Sequence, residues 1–145
     1  MGDVVIPAVL VAGGLLLAVS ARLNGSAEPY ILLVSSGNSH VELTQELIDA
    51  LGLPVHAIMT AGPGSDDEAV YRLATLTVGG LTVPQVSVYT LRSYRSHGLG
   101  EVSRYGVDGV LGMNWFRPYF RRITLNMAKP ALDLDIDPIY ESMFR

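Results

Sequence analysis

Cysteine is missing from the chain altogether, and its absence excludes a disulfide framework, a thiolate nucleophile and a cysteine-based zinc site. The redox compartment is left open. Lysine is almost missing as well: Lys129 is the one lysine among ten basic residues, which stand against fourteen acidic ones for a net charge of −4. No broad basic field exists to neutralise phosphates, so nucleic acid is excluded as a partner. Charge of either sign is sparse, at 17% of residues, while 49% are hydrophobic. A surface so lightly charged leaves apolar area for a partner to cover and points to an oligomer. Internal repeats and low-complexity tracts are also absent, and 145 residues suit one domain with a real core.

Metal-ligand spacing is lacking too. His40, His56 and His97 are scattered. Asp133, Asp135 and Asp137 alternate and share one face of a strand, but no Gly or downstream Glu of a calcium loop accompanies them and Pro138 follows at once. A solvated strand face is their reading, and no metal or cofactor is expected. Arg117, Arg121 and Arg122 form a small basic patch that balances nearby acids.

Residues 4–21 carry no charge. As an export signal this stretch has an apolar centre, yet Asp3 stands where a positive charge belongs. As a membrane anchor it is barely long enough and is broken by Pro7 and Gly13-Gly14. As strands it reads well, with Leu15, Leu17, Val19, Ala21 and Leu23 on one face and the Asn24-Gly25 turn signal behind them. Residues 1–14 are therefore an extra N-terminal strand or a targeting segment. Localisation stays open between cytoplasmic and exported, and a membrane partner is expected only if the apolar run is an anchor.

Further along, residues 30–34 form a continuous apolar run of strand length, the kind buried on both faces. The stretch "TQELIDALG" is a short helix, capped by Thr44 and stopped by Gly52 in a left-handed conformation. A strand follows over residues 55–60, then an acidic Gly/Pro tip. Residues 70–78 and 81–89 flank the hairpin signature Gly79-Gly80, with Pro84 marking an edge or a bulge. Residues 92–106 read as a long loop. A strand, a Gly-bounded corner and a short helix occupy "VDGVLGMNWFRPYFRR", and a last hairpin turns at Lys129-Pro130. The sum is a mainly β domain with one or two short helices.

Two stretches, "LLVSSGNSHVELTQELIDALGL" and "VDGVLGMNWF", resemble in order and separation the signatures of the retropepsin-like aspartic peptidases, whose strand of type "fLVDTGAS" precedes a helix ending in "LGL" and, some seventy residues on, "DGxLGmdfL". The resemblance runs from about residue 15 to about residue 135. It implies a closed acid-protease β-barrel lobe spanning residues 1–145. It also implies a homodimer with the site on its two-fold axis, because one lobe supplies one carboxylate of the catalytic pair.

The departure falls on the family's catalytic Asp, whose position is held by Ser35; Ser36 and Gly37 match the next two positions, Asn38 stands for the usual Ala, and Asn114 for a second Asp. A serine hydroxyl can hold a water but not take its proton near neutral pH. The resemblance thus implies a domain inactive as written that binds an extended peptide or protein segment, with Ser35, Ser36 and Gly37 at the catalytic position. Asn38, Ser39, Leu111, Gly112 and the flap residues Ala61, Gly62, Pro63 and Gly64 line its substrate groove. Ser36 is expected to hydrogen-bond across the dimer, and Asp108 either supports the site or is a solvated turn residue. The alternative is an active aspartic endopeptidase seen in an inactivated, Asp-to-Ser form. A serine nucleophile is disfavoured: the Gly-x-Ser-x-Gly elbow is missing, and on an extended segment His40 lies roughly 16 Å from Ser35.

Overall fold

The computed structural model describes residues 3–60, 63, 67–91 and 106–144. In chain order its elements begin with β1 (Asp3–Pro7), β2 (Val9–Val11), a 3-10 turn (Ala12–Gly14), β3 (Leu16–Leu23), β4 (Tyr30–Val34), β5 (Val41–Leu43) and helix α1 (Gln45–Leu51). They continue with β6 (Val55–Met59), β7 (Glu68–Val78), β8 (Leu81–Thr90), β9 (Gly109–Leu111), α2 (Met113–Phe116), β10 (Phe120–Asn126) and β11 (Ala131–Ile136). A 3-10 turn (Pro138–Tyr140) leads into α3 (Glu141–Phe144).

The large sheet runs β2-β3-β4-β9-β5-β8-β7-β6, and a further pairing of β3 with β7 closes the six strands from β3 to β7 into a barrel. β2 and β6 hang outside the closure. A separate three-stranded sheet, β1-β11-β10, leaves β10 at an edge. Barrel closure removes the unpaired edges of its own strands and confines exposed backbone to these outliers.

Why β4 carries no polar residue is plain from its surroundings. Leu32 and Val34 enter the main core, whereas Leu33 faces a second cluster with Ala18, Val107 and Val110. A strand covered on both faces reads as a near-continuous apolar run. In the main core, Trp115 of α2 is fully buried, packs on Phe116 and Phe120, and donates its indole N–H to the Leu76 carbonyl at 3.1 Å. Burying such a side chain removes roughly 150–250 Å² from water, an upper value of about 4–6 kcal/mol at ~25 cal/mol/Å².

Turn chemistry follows the sequence closely. Asn24 and Gly25 both take positive φ, as do Gly79 and Gly80 between the paired residues Val78 and Leu81. Gly79-Gly80 is the two-residue turn whose twist matches a hairpin, whereas β3 and β4 pair only as far as Ala21 and Tyr30, so Asn24-Gly25 turns the chain within a longer connection. Pro84 pairs with Thr75 on one side, while β5 reaches β8 only from Val88 onward, so the missing N–H falls on a locally open edge.

One reading needs correction. Leu15, expected on the buried face, is 79% exposed because β3 starts one residue later, beyond the turn. Among the described residues there are three short α-helices and two 3-10 turns; the C-terminal pair is started by Asp137, whose side chain accepts from Ile139 N–H, with Pro138 at its first position. The short strand β5 was not anticipated. Of the first fourteen residues, Asp3–Pro7 and Val9–Val11 are strands, β1 pairing with β11 and β2 with β3. Among the described residues no helix is long and apolar enough to cross a membrane. Most of the loop expected over 92–106 lies outside the described residues.

Candidate functional site

The site grows out of the end of β4. Beside it β9 runs parallel, Val34 opposite Leu111, and the Ser35 N–H donates to the Leu111 carbonyl at 3.2 Å. The chain then turns through Ser36 and Gly37, both exposed, and is hung on the start of α2. There the Asn38 carbonyl accepts from Met113 N–H at 2.8 Å and the Ser39 carbonyl from Asn114 N–H at 3.0 Å.

Close passage of these two stretches explains the glycines of "DGVLG". A Cβ on Gly112 would lie 2.0 Å from the His40 carbonyl oxygen, and one on Gly109 would lie 2.5 Å from that of Glu42. No side chain fits at either place. Side chains complete the tie. Asn114 Oδ1 accepts from Val41 N–H at 2.7 Å while its Nδ2 donates to the Ser87 carbonyl at 2.8 Å, joining β5 to β8. Asp108 resolves to the supporting role: its Oδ2 accepts from Ile31 N–H at 2.9 Å, and its own N–H donates to the Ile31 carbonyl at 2.7 Å.

Behind the turn lies a polar chain. The Ser35 hydroxyl donates to Asn38 Oδ1 at 2.5 Å, and Asn38 Nδ2 donates to Glu42 Oε2 at 2.7 Å. Asn38 is 2% exposed and Glu42 is fully buried. Sequence reading gives Glu42 no role, since three residues are too few to read as a strand; the strand they form is covered on both faces. The signal available was an acid inside an apolar triplet directly after the signature.

The expected residues do not all share one surface. Ser36, Gly37 and Ser39 are exposed and Ser35 is half-buried, whereas Asn38, Leu111 and Gly112 stand buried behind them as backing. Pro63 is exposed between β6 and β7, which pair as an antiparallel hairpin with Met59 opposite Glu68. Ala61, Gly62 and Gly64 lie outside the described residues. Beside the turn a hollow of about 390 Å³ is lined by Val34, Met113, Phe120, Ile123 and Leu125, with Ser36 and Arg121 as its polar members. Arg121 also pairs with Asp135 at 3.0 Å. Among the described residues no group of His, Asp or Glu is placed to hold a metal ion.

Chemically, the arrangement offers hydroxyls and backbone but no proton acceptor at the turn. Asn38 presents a carboxamide oxygen, which accepts a hydrogen bond without taking the proton, so Ser35 is not activated as a nucleophile. The His40 ring lies stacked on Tyr89, with centroids 3.9 Å apart.

Comparison with known proteins agrees with this geometry. No curated protein sequence matches the chain. Solved structures share its fold, two among them as follows. A retropepsin-like aspartic protease from Rickettsia conorii superposes with a TM-score of 0.59 at 20% identity, over 92% of this chain and 90% of that one. The retroviral protease-like domain of Ddi1 from Leishmania major gives 0.52 at 12% identity, over 87% and 97%. The aspartyl protease family profile matches residues 19–115, which hold both signature stretches and the barrel strands between them. With its six-stranded closure and these loops, the chain belongs to the aspartyl protease family, as a retropepsin-like member.

Proposed function

We propose that this chain is a retropepsin-like domain that binds an extended peptide segment without hydrolysing it, as a homodimer whose two signature turns meet near the two-fold axis. The observation that carries this reading is the commitment of the Ser35 hydroxyl to the Asn38 carboxamide at 2.5 Å. Hydrolysis of a peptide bond by this architecture needs a carboxyl pair that shares a proton, one member taking a proton from water and the other donating one. Ser35, standing at the position of the family's acid, supplies neither. Loss of general acid–base catalysis alone removes roughly 10²–10⁴-fold of rate.

The surroundings support the serine as the chain's own arrangement. A single Asp-to-Ser exchange in an active peptidase leaves its neighbours suited to a carboxylate, whereas Asn38 and Glu42 form a hydrogen-bonded chain that suits a hydroxyl. Support for binding comes from β6, an edge strand with Val55, Ile58 and Met59 exposed, next to the tip that matches the family's flap. Such an edge accepts an extended segment by strand addition. Support for the dimer comes from the apolar hollow that Ser36 shares with Ile123 and Leu125.

The test is to incubate the parent chain and Ser35→Ala with a library of unstructured peptides from acid to neutral pH, following both cleavage and binding. Saturable binding without turnover is expected for both. Cleavage by the parent that disappears in Ser35→Ala overturns the proposal.

A further inference from the structure

The polar chain behind the turn has a direction, and a single residue fixes it. Asn38 turns its amide nitrogen towards Glu42 and donates to Oε2 at 2.7 Å. The amide oxygen then faces Ser35. That oxygen also only accepts, so at 2.5 Å the Ser35 hydroxyl must donate its one proton inward. Both Asn38 and Glu42 are buried, and contacts of 2.5 and 2.7 Å leave no space for an intervening water to reverse the order.

We infer that Glu42 is a positioning residue which sets the hydrogen-bond polarity of the signature turn, so that position 35 presents lone pairs to the groove and cannot accommodate a carboxylate while Glu42 carries one. Asn38 has one donor side and one acceptor side. With an acid at each end of the chain, one carboxylate always meets the carboxamide oxygen, a buried clash of acceptors whose cost exceeds that of an ordinary lost hydrogen bond. A ligand group meeting Ser35 must bring the hydrogen itself, as a peptide N–H, an amine or a hydroxyl does. This inference about Glu42 goes beyond the binding function and does not depend on it.

A double-mutant cycle on the free chain tests it, with no peptide present. The variants are Ser35→Asp, Glu42→Gln and the two combined, compared by denaturant unfolding at neutral pH. A glutamine at position 42 can donate to Asn38 Oδ1, which frees the Asn38 amine to turn towards an acid at position 35. Ser35→Asp alone is expected to lower the folding equilibrium constant roughly ten- to a hundredfold, and the added Glu42→Gln to restore most of that loss. In parallel, the Asn38 side-chain amide protons are expected to resonate downfield in the parent, to move upfield in Glu42→Gln and to move downfield again in the combined variant. Should the single variant fail to fold, folding of the combined one is the same rescue. A combined variant no better than Ser35→Asp, or a Ser35→Asp chain as stable as the parent, overturns the inference.

Discussion

At the scale of the residue, the site is held by groups that make two contacts each, and their removal has predictable cost. Asn114 satisfies both Val41 N–H and the Ser87 carbonyl. Asn114→Ala removes both partners beside a fully buried residue and is expected to cost about 2–3 kcal/mol in denaturant unfolding. Asn114→Asp keeps the bond to Val41 but sets a carboxylate against the Ser87 carbonyl, so its cost is expected to differ from that of Ala in a second way: it eases as pH falls and the new acid is protonated. Gly112→Ala is the sharper test of backbone packing. A Cβ at 2.0 Å from the His40 carbonyl oxygen meets a rigid neighbour, and a loss of about 3 kcal/mol is expected, with the midpoint of urea unfolding as the measure. Glycine and asparagine at these places were legible from the sequence as motif positions, though their partners were not. Glu42 has no role in the sequence reading, because three residues show no period and nothing local marks the carboxylate as buried.

Among elements, those with chemical punctuation were readable and those defined only by their neighbours were not. Helix α1 carries its own limits: Thr44 Oγ1 accepts from Leu47 N–H at 3.3 Å, and Gly52 takes φ 62° with its N–H on the Asp49 and Ile48 carbonyls. Replacing Thr44 with Ala is expected to cost about 1 kcal/mol, and Gly52 with Ala about 1 kcal/mol through the left-handed backbone. The two sites sit at opposite ends of a seven-residue helix, so additivity within about 0.5 kcal/mol in the combined variant checks that each acts on its own end. The turns at Asn24-Gly25 and Gly79-Gly80 were legible for the same reason, since few residues tolerate the positive φ both require. By contrast β5 spans three residues, too few for any period to show, and exists because β9 and β8 lie on its two sides. The C-terminal helical turn had a visible start in Asp137-Pro138, but its packing comes from Phe144 lying 5.5 Å from Phe120, a contact that no local pattern announces.

At the scale of the whole molecule, closure of the barrel by β3 against β7 leaves β10 with one side unpaired and an apolar hollow beside it. Ser36 lines the same hollow as Ile123 and Leu125. A dimer that brings two signature turns together therefore brings the two hollows together, and the apolar residues of β10 lie in its interface. Leu125, 37% exposed in the single chain, is the residue to change. Leu125→Glu places a carboxylate in that hollow, and two-fold symmetry doubles it, so each dimer bears two desolvated like charges. The dissociation constant measured by sedimentation equilibrium is expected to rise by about a hundredfold or more, the order that two uncompensated charges impose at an interface. Folding of the separated chain is expected to change by less than about 1 kcal/mol, since a partly exposed surface position carries little of the core. An unchanged dissociation constant places the axis away from β10, and a parent chain that stays monomeric at millimolar concentration removes the dimer itself. Only the second result touches the shared site, because the polar chain from Ser35 to Glu42 lies wholly within one lobe.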